Sequence, residues 1–197
     1  MRLEWDCIRF TQTVGWEARD TQVERLTDYD ALVSWCAERA IISHDHAVAM
    51  RAQARGEPDA ARNALDDART LRLTIYRLLV SVGTGVAPDA TRIEELNDYL
   101  SRYLPARRLA STPAGLAWGW RLDPSRLDHP LGPIAWSTAD LLTSPEAHRL
   151  SLCAADDCGW LFIDSSRNHS RRWCDMADCG NRAKVRRFRS RRREADR

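Results

Sequence analysis

Between residues 27 and 104 the apolar positions recur every three or four residues, the interval that lines side chains along one face of an α-helix. The segment 27–40, TDYDALVSWCAERA, opens on capping residue types and places Leu32, Trp35, Cys36 and Ala40 at that spacing. A second helix is expected over 43–55, opening on Ser43 and stopped by Gly56. Glu57 and Pro58 start the longest one, to about residue 82, with Ala61, Leu65, Ala68, Leu71, Ile75, Leu78 and Val82 in one stripe and Gly83 and Gly85 at its end. Pro88 begins another, whose stripe reads Ile93, Leu96, Leu100 and Leu104 before Pro105. The opening segment, RLEWDCIRFTQT, shows no clean period around Ile8 and Phe10 and reads as a short strand or an extended lead-in.

After Pro105 the pattern changes. Residues 107–123 read as two short strands around Pro113 and Gly115, with Trp118 and Trp120 on one face and Ala117 and Gly119 between them. The connector DPSRLDHPLGP is rich in turn formers, and a last helix over 134–142 closes the body before Ser144 and Pro145. The expected architecture is mainly α with a small β element: a helical N-terminal domain over 1–145 and a separate C-terminal module over 146–197.

Composition changes this picture little, and charge changes it more. With 44% hydrophobic residues and eight tryptophans among 197 positions, the chain can bury a core. No basic segment followed by a long apolar run opens it, and no stretch approaches about 18 uninterrupted apolar residues, so a soluble, cytoplasmic protein without membrane contact is expected. Residues 165–197 carry twelve Arg or Lys against four acids, a formal +8 on a body of formal −6. A basic tail of this kind looks for an anionic partner, most often nucleic acid, or for the acidic body of its own protein.

The tail begins beside four of the six cysteines. Cys153-x4-Cys158, fifteen residues, then Cys174-x4-Cys179 is the layout of a structural zinc site, in which two knuckles bring four thiolates together. Two disulfides are the alternative, and they need an oxidising compartment. Four cysteines fill a tetrahedral shell, which leaves no position for water or substrate, so the zinc would fasten rather than catalyse. GWLFID is the expected arm of a hairpin and SSRNHS its turn, with His169 a solvated turn residue rather than a ligand.

CGWLFIDSSRN, RRWC and CGNRAKVRRFRSR together resemble the CGNR zinc finger, whose tetrad stands here as Cys179, Gly180, Asn181 and Arg182. The resemblance covers about 45 residues and implies a treble-clef-like or ribbon-like four-cysteine module with structural Zn(2+). The helical body resembles the ABATE domain that precedes this finger in many bacterial proteins. Where members carry an Asn-Thr pair after an apolar strand, this chain reads Phe10-Thr11-Gln12-Thr13, with Gln12 for the asparagine. Membership implies a stress-related transcription regulator.

Residues 180–193 are expected to form a helix. On it Val185 and Phe188 should pack down onto the hairpin near Trp160 or Trp173, leaving two cationic stripes. The distal residues Arg186, Arg187, Arg189, Arg191, Arg192 and Arg193 are the candidate nucleic-acid contacts, with DNA favoured and RNA sharing the same physics. Arg172, Trp173 and Arg182 are expected to support the metal site, Gly180 to let the backbone approach it, and Asn181 to cap. In the body, His44, Arg72 and Trp118 are candidates for a small-molecule effector pocket, while Cys7 and Cys36 read as buried, inert thiols. No catalytic constellation stands out. A DNA-binding regulator whose body senses an effector or forms a homodimer is the first reading; a small-molecule-binding domain or enzyme with a purely structural zinc module is the second.

Overall fold

The computed structural model describes residues 5–18, 21–113 and 115–195. The chain opens not on a strand but on a helix, α1 (Asp6–Thr11), whose Cys7, Ile8, Phe10 and Thr11 are buried. Six residues are too few for a period to show in sequence. What fixes them is tertiary: Cys7 N–H donates to Ser137 Oγ at 3.2 Å, 130 residues away. A hairpin follows, β1 (Val14–Ala18) with β2 (Thr21–Glu24), which the sequence pattern did not reveal.

The next three helices stand where their spacing and caps put them. α2 (Tyr29–Glu38) is capped by Asp28, which accepts from Ala31 N–H, and α3 (His44–Gly56) by Ser43, which accepts from His46 N–H. α4 (Pro58–Gly83) runs for 26 residues with proline in its first turn. Leu71, Ile75, Leu78 and Leu79 along it are almost completely buried, and the other helices of the body pack against α4.

α5 (Ala90–Tyr103) presents a different stripe from the one its aliphatic residues suggested. Ile93 is 41% exposed, and the buried positions are Leu96, Tyr99 and Tyr103. The two rings go inside because each hydroxyl finds an acceptor, Asp67 O for Tyr99 and the Asp128 carboxylate for Tyr103. β3 (Arg107–Thr112) and β4 (Gly115–Trp120) form a regular antiparallel hairpin that keeps Leu109, Leu116 and Trp118 exposed. α6 (Leu131–Leu142) begins three residues earlier than expected. Gly132 lies in its first turn, where any Cβ would come within 2.7 Å of Tyr103.

The C-terminal part is a third hairpin, β5 (Leu150–Leu152) with β6 (Leu161–Ile163), followed by the basic helix α7 (Asn181–Ala195). β6 pairs backward with β5, across the first cysteine pair, rather than forward across SSRNHS. Leu150 and Leu161 belong to the same buried core as α4, and only Cys153, Ala155, Phe162 and Cys179 form a separate small cluster beyond it. The molecule is thus mainly helical with small two-stranded sheets, and its cysteine module is seated on the helical body. Among the described residues no helix is long and apolar enough to cross a membrane.

Candidate metal centre and basic helix

The β5–β6 hairpin carries the first knuckle at its tip. Cys153 N–H donates to Trp160 O at 2.9 Å and Cys158 N–H to Ala155 O at 3.0 Å, which folds residues 153–158 into a tight turn. The chain then has to return, and Asp164 makes it do so. Only 2% exposed, its carboxylate accepts from Ser166 N–H (2.8 Å), Ser166 Oγ (2.6 Å) and Arg171 N–H (2.9 Å). The loop so closed sets Ala154 N–H on Arg172 O at 2.8 Å and aims Cys174 N–H at Cys153 Sγ at 3.4 Å. In the second knuckle the Asp175 carboxylate accepts from Ala177 and Asp178 N–H, and Gly180 N–H closes a wide turn onto Asp175 O at 3.0 Å.

The four sulfurs of Cys153, Cys158, Cys174 and Cys179 all lie within 4.8 Å of one another. Cys158 and Cys174 are 3.7 Å apart and Cys174 and Cys179 3.6 Å. A tetrahedron of metal–sulfur bonds of about 2.3 Å has edges of about 3.8 Å, whereas a disulfide is about 2.05 Å. All six cysteines are free, so the paired-disulfide alternative does not apply here. The donor set fits a metal ion. The electrostatics agree, since a hydrogen bond from Cys174 draws the Cys158 thiol down to about 5 while burial pushes Cys179 up to about 12. One thiolate is comfortable in this cluster, and further negative charges need a cation among them.

The residues around the sulfurs divide the work differently from expectation. Arg182 does donate to Cys179 Sγ, at 3.1 Å. Arg172 instead stacks 5.5 Å from the ring of Trp173 and contributes its carbonyl. The guanidinium that bonds carbonyls beside the sulfurs is that of Arg171, on Trp173 O at 2.9 Å and on Cys174 O, while it covers Phe162 at 4.7 Å. Gly180 lies against its own turn, where a Cβ would come within 2.7 Å of Met176 Sδ and push that exposed side chain aside. Asn181 Nδ2 donates to Ala177 O at 2.9 Å, satisfying a carbonyl of that turn.

α7 leaves the second knuckle with eight Arg or Lys and one Glu in its fifteen residues. Asp157, in the first knuckle, holds its start: Arg186 donates to the carboxylate at 2.9 Å and Arg182 lies 3.7 Å away. The Arg186 hydrogen bond keeps that carboxyl below its ordinary range, with the charge of Arg182 adding to it. Arg186 is therefore committed within the module. Lys184, Arg187, Arg189 and Arg192 are exposed and, among the described residues, have no ion pair. The side chains of Arg191 and Arg193 lie outside the described residues. Val185 and Phe188 do not pack onto the hairpin, being 49% and 68% exposed. The turn of the helix that faces the hairpin is taken by Ala183 and Arg186, which leaves the apolar pair outside.

Comparison with known families decides what this arrangement belongs to. The model of the ABATE family, described as "Putative stress-induced transcription regulator", matches residues 7–145, and the CGNR zinc finger model matches residues 149–192. The chain belongs to the ABATE family. It carries a CGNR zinc finger behind the ABATE domain, and no curated protein matches it.

The two parts of this ABATE protein are joined through α1. Gln12 Nε2 donates to Leu161 O at 3.1 Å, its Oε1 accepts from Arg9, and Trp160 Nε1 of the finger donates to Val14 O at 3.3 Å. Gln12 thus ties the ABATE domain to the finger. The proposed pocket residues are not brought together. His44 is exposed at the start of α3, and Trp118 is exposed on β4 with Arg107 5.0 Å from its ring. Arg72 is 7% exposed, donating to Thr13 Oγ1 at 2.7 Å and to Glu24, and it lines a cavity of about 280 Å³ with Thr11, Val14, Tyr76 and Trp160. The anion that Arg72 meets is the protein's own Glu24. Glu24 and Asp157 carried no signal in sequence, and Asp164 and Arg171 none beyond their place in CGWLFIDSSRN and RRWC.

Proposed function

We propose that this ABATE protein is a DNA-binding regulator whose four finger cysteines hold Zn(2+) as a fastener and whose helix α7 is the nucleic-acid surface. The single observation behind the proposal is the split among the cations of α7. Arg182 and Arg186 are drawn onto Cys179 and Asp157 and brace the helix, which leaves Lys184, Arg187, Arg189 and Arg192 exposed and, among the described residues, without an ion pair. Exposed cations on a braced helix are groups that phosphate oxygens complement. Thiolates are the ligands zinc favours, and four of them give it a closed shell, so the ion orients the helix and performs no reaction. On this reading the chain divides near residue 145, with residues 146–197 as the reading module and the ABATE domain as its support.

The test is binding of labelled duplex DNA at rising salt, with the full chain and with Arg187, Arg189 and Arg192 all changed to Gln. Affinity of the native chain should fall linearly on a double-logarithmic plot, and the slope should shrink by about 0.9 for each phosphate contact removed. Equal, salt-independent binding of the two proteins sinks the proposal.

A second role, for the body, is favoured by Trp160. This finger residue lines both the cavity around Arg72 and a larger one of about 460 Å³ bordered by Arg9, Gln12, Trp35 and Arg39. We propose that a small effector bound there reports to the finger through Trp160. A ligand found by thermal shift that stabilises the native chain and Trp160→Ala equally would not be acting through this residue.

A further inference from the structure

α7 has an inner and an outer pole. Among the described residues its half-buried positions are Ala183 and Arg186, and Arg186 reaches the first knuckle. At about 100° per residue, Val185, Phe188 and Arg192 lie roughly 140–180° round the helix from Ala183, on the far side from the protein. Lys184 and Arg189 flank them, about 100–120° from the same reference. The outer pole is therefore an aromatic ring set among cations, and that ring is the most exposed aromatic side chain described, at 68%.

An isolated surface phenylalanine is ordinary, but its surroundings restrict what it can meet. Burying it removes apolar surface from water, so a partner that covers it gains from doing so. That partner has to bring negative charge to Lys184, Arg189 and Arg192 and an apolar or π surface to the middle. A second copy of this chain would bring eight more cations on its own helix, which repel. An anionic membrane supplies the charge, but a helix lying in it needs a broad apolar face, and here that face is two residues wide. A nucleic acid supplies both, with phosphates in rows and bases between them.

We propose that Phe188, with Val185 beside it, enters the nucleic acid between the phosphate rows and makes apolar contact with the bases, while the flanking cations hold the phosphates. This rests on the reading of α7 as the nucleic-acid surface and adds to it the element that touches bases. The two kinds of contact differ in their response to salt. Phosphate contacts release counterions and set the slope of affinity against salt, whereas an apolar contact contributes equally at every salt concentration.

Fluorescence anisotropy of a labelled duplex and of the matching single strand, from low to high salt, separates them. The proteins are the native full chain, Phe188→Ala, Phe188→Trp and the pair Arg189→Gln with Arg192→Gln. The expected result is a loss of about tenfold for Phe188→Ala at every salt concentration, on a line parallel to the native one, with Phe188→Trp restored to native affinity. The arginine pair should instead flatten the line. Because the ring is exposed, Phe188→Ala should keep native metal content and melting temperature, so a lost contact is not confused with a lost fold. Unchanged affinity in Phe188→Ala while the arginine pair is flattened overturns the base contact and leaves the nucleic-acid reading standing. No binding by the native chain at low salt overturns both. Loss of binding to phosphatidylserine vesicles, or conversion of a dimer to a monomer on sedimentation, with DNA affinity untouched, overturns it in favour of a membrane or a second copy.

Discussion

Two carboxylates, Asp164 in the finger and Glu24 in the body, each gather several donors and hold their part of the molecule in shape. Asp164 gathers two backbone N–H groups and a hydroxyl at 2% exposure, and Asp164→Ala would take the acceptor from all three donors. A loss of about 2–3 kcal/mol is expected, read as a lower melting temperature together with faster loss of metal to a chelator. Glu24 plays the matching part in the body, where it pairs with buried Arg72 and accepts from Leu26 N–H at 2.7 Å. Burial opposes its charge, but the hydrogen bonds of Arg72 and Leu26 and the charges of Arg72 and Arg69 outweigh it and hold the carboxyl below the ordinary glutamate value. A group depressed in this way stabilises the fold above its unfolded value and stops doing so as the pH falls through its folded one. Glu24→Gln should therefore cost about 2 kcal/mol near neutral pH, because Arg72 loses its partner, and should cost progressively less in acid. Denaturant midpoints of both proteins across that range check it, and a constant difference at all pH values would contradict it.

At the scale of elements, what could be read in advance was what local physics decides. α2, α3 and α4 announce themselves because capping residues and a proline mark their starts and the apolar period runs long enough to count. The four-cysteine spacing was legible for a similar reason, since ligand chemistry ties residue type to interval. α1 was not, because six residues carry no period and the burial of Cys7 and Phe10 depends on helices far along the chain. The stripe of α5 was misjudged by favouring aliphatic residues over tyrosines whose hydroxyls find partners only in the fold. Val185 and Phe188 have helical spacing and still face outward, since Asp157 draws the opposite side of α7 onto the knuckle. The packing of α5 against α6 carries its own prediction. Gly132 sits where a Cβ would be 2.7 Å from Tyr103 Cβ and 3.1 Å from the ring of Trp120, neither of which is the loose end of a flexible chain. Gly132→Ala should destabilise by about 1–3 kcal/mol, although alanine is the better helix former, and a rise in melting temperature would show that the helices part without cost.

In the whole molecule the finger is bound to the body by its strands and to itself by its sulfurs, and these attachments respond differently to loss of the metal. Leu150 and Leu161 are buried in the α4 core, and Gln12 and Trp160 bridge the two parts by hydrogen bonds. Beyond that, the knuckles and α7 share only a small cluster in which Cys153 and Cys179 are themselves half of the fully buried members. Burial of so few side chains does not order a segment of this length, whereas structural metal sites of this type bind with about 10–16 kcal/mol. Chelation should then release the knuckles and α7 while β5, β6 and the helical body persist. The cysteines make this countable, because Cys7 and Cys36 are fully buried in the body and burial pushes both thiols up, Cys7 to about 12, away from the reactive thiolate. With a thiol reagent the native metal-loaded protein should react slowly throughout. After chelation Cys153, Cys158, Cys174 and Cys179 should react fast, and Cys7 and Cys36 only on global unfolding. If all six thiols react together once the metal is removed, the ion holds the body as well as the finger; if none becomes faster, the knuckles stand without it.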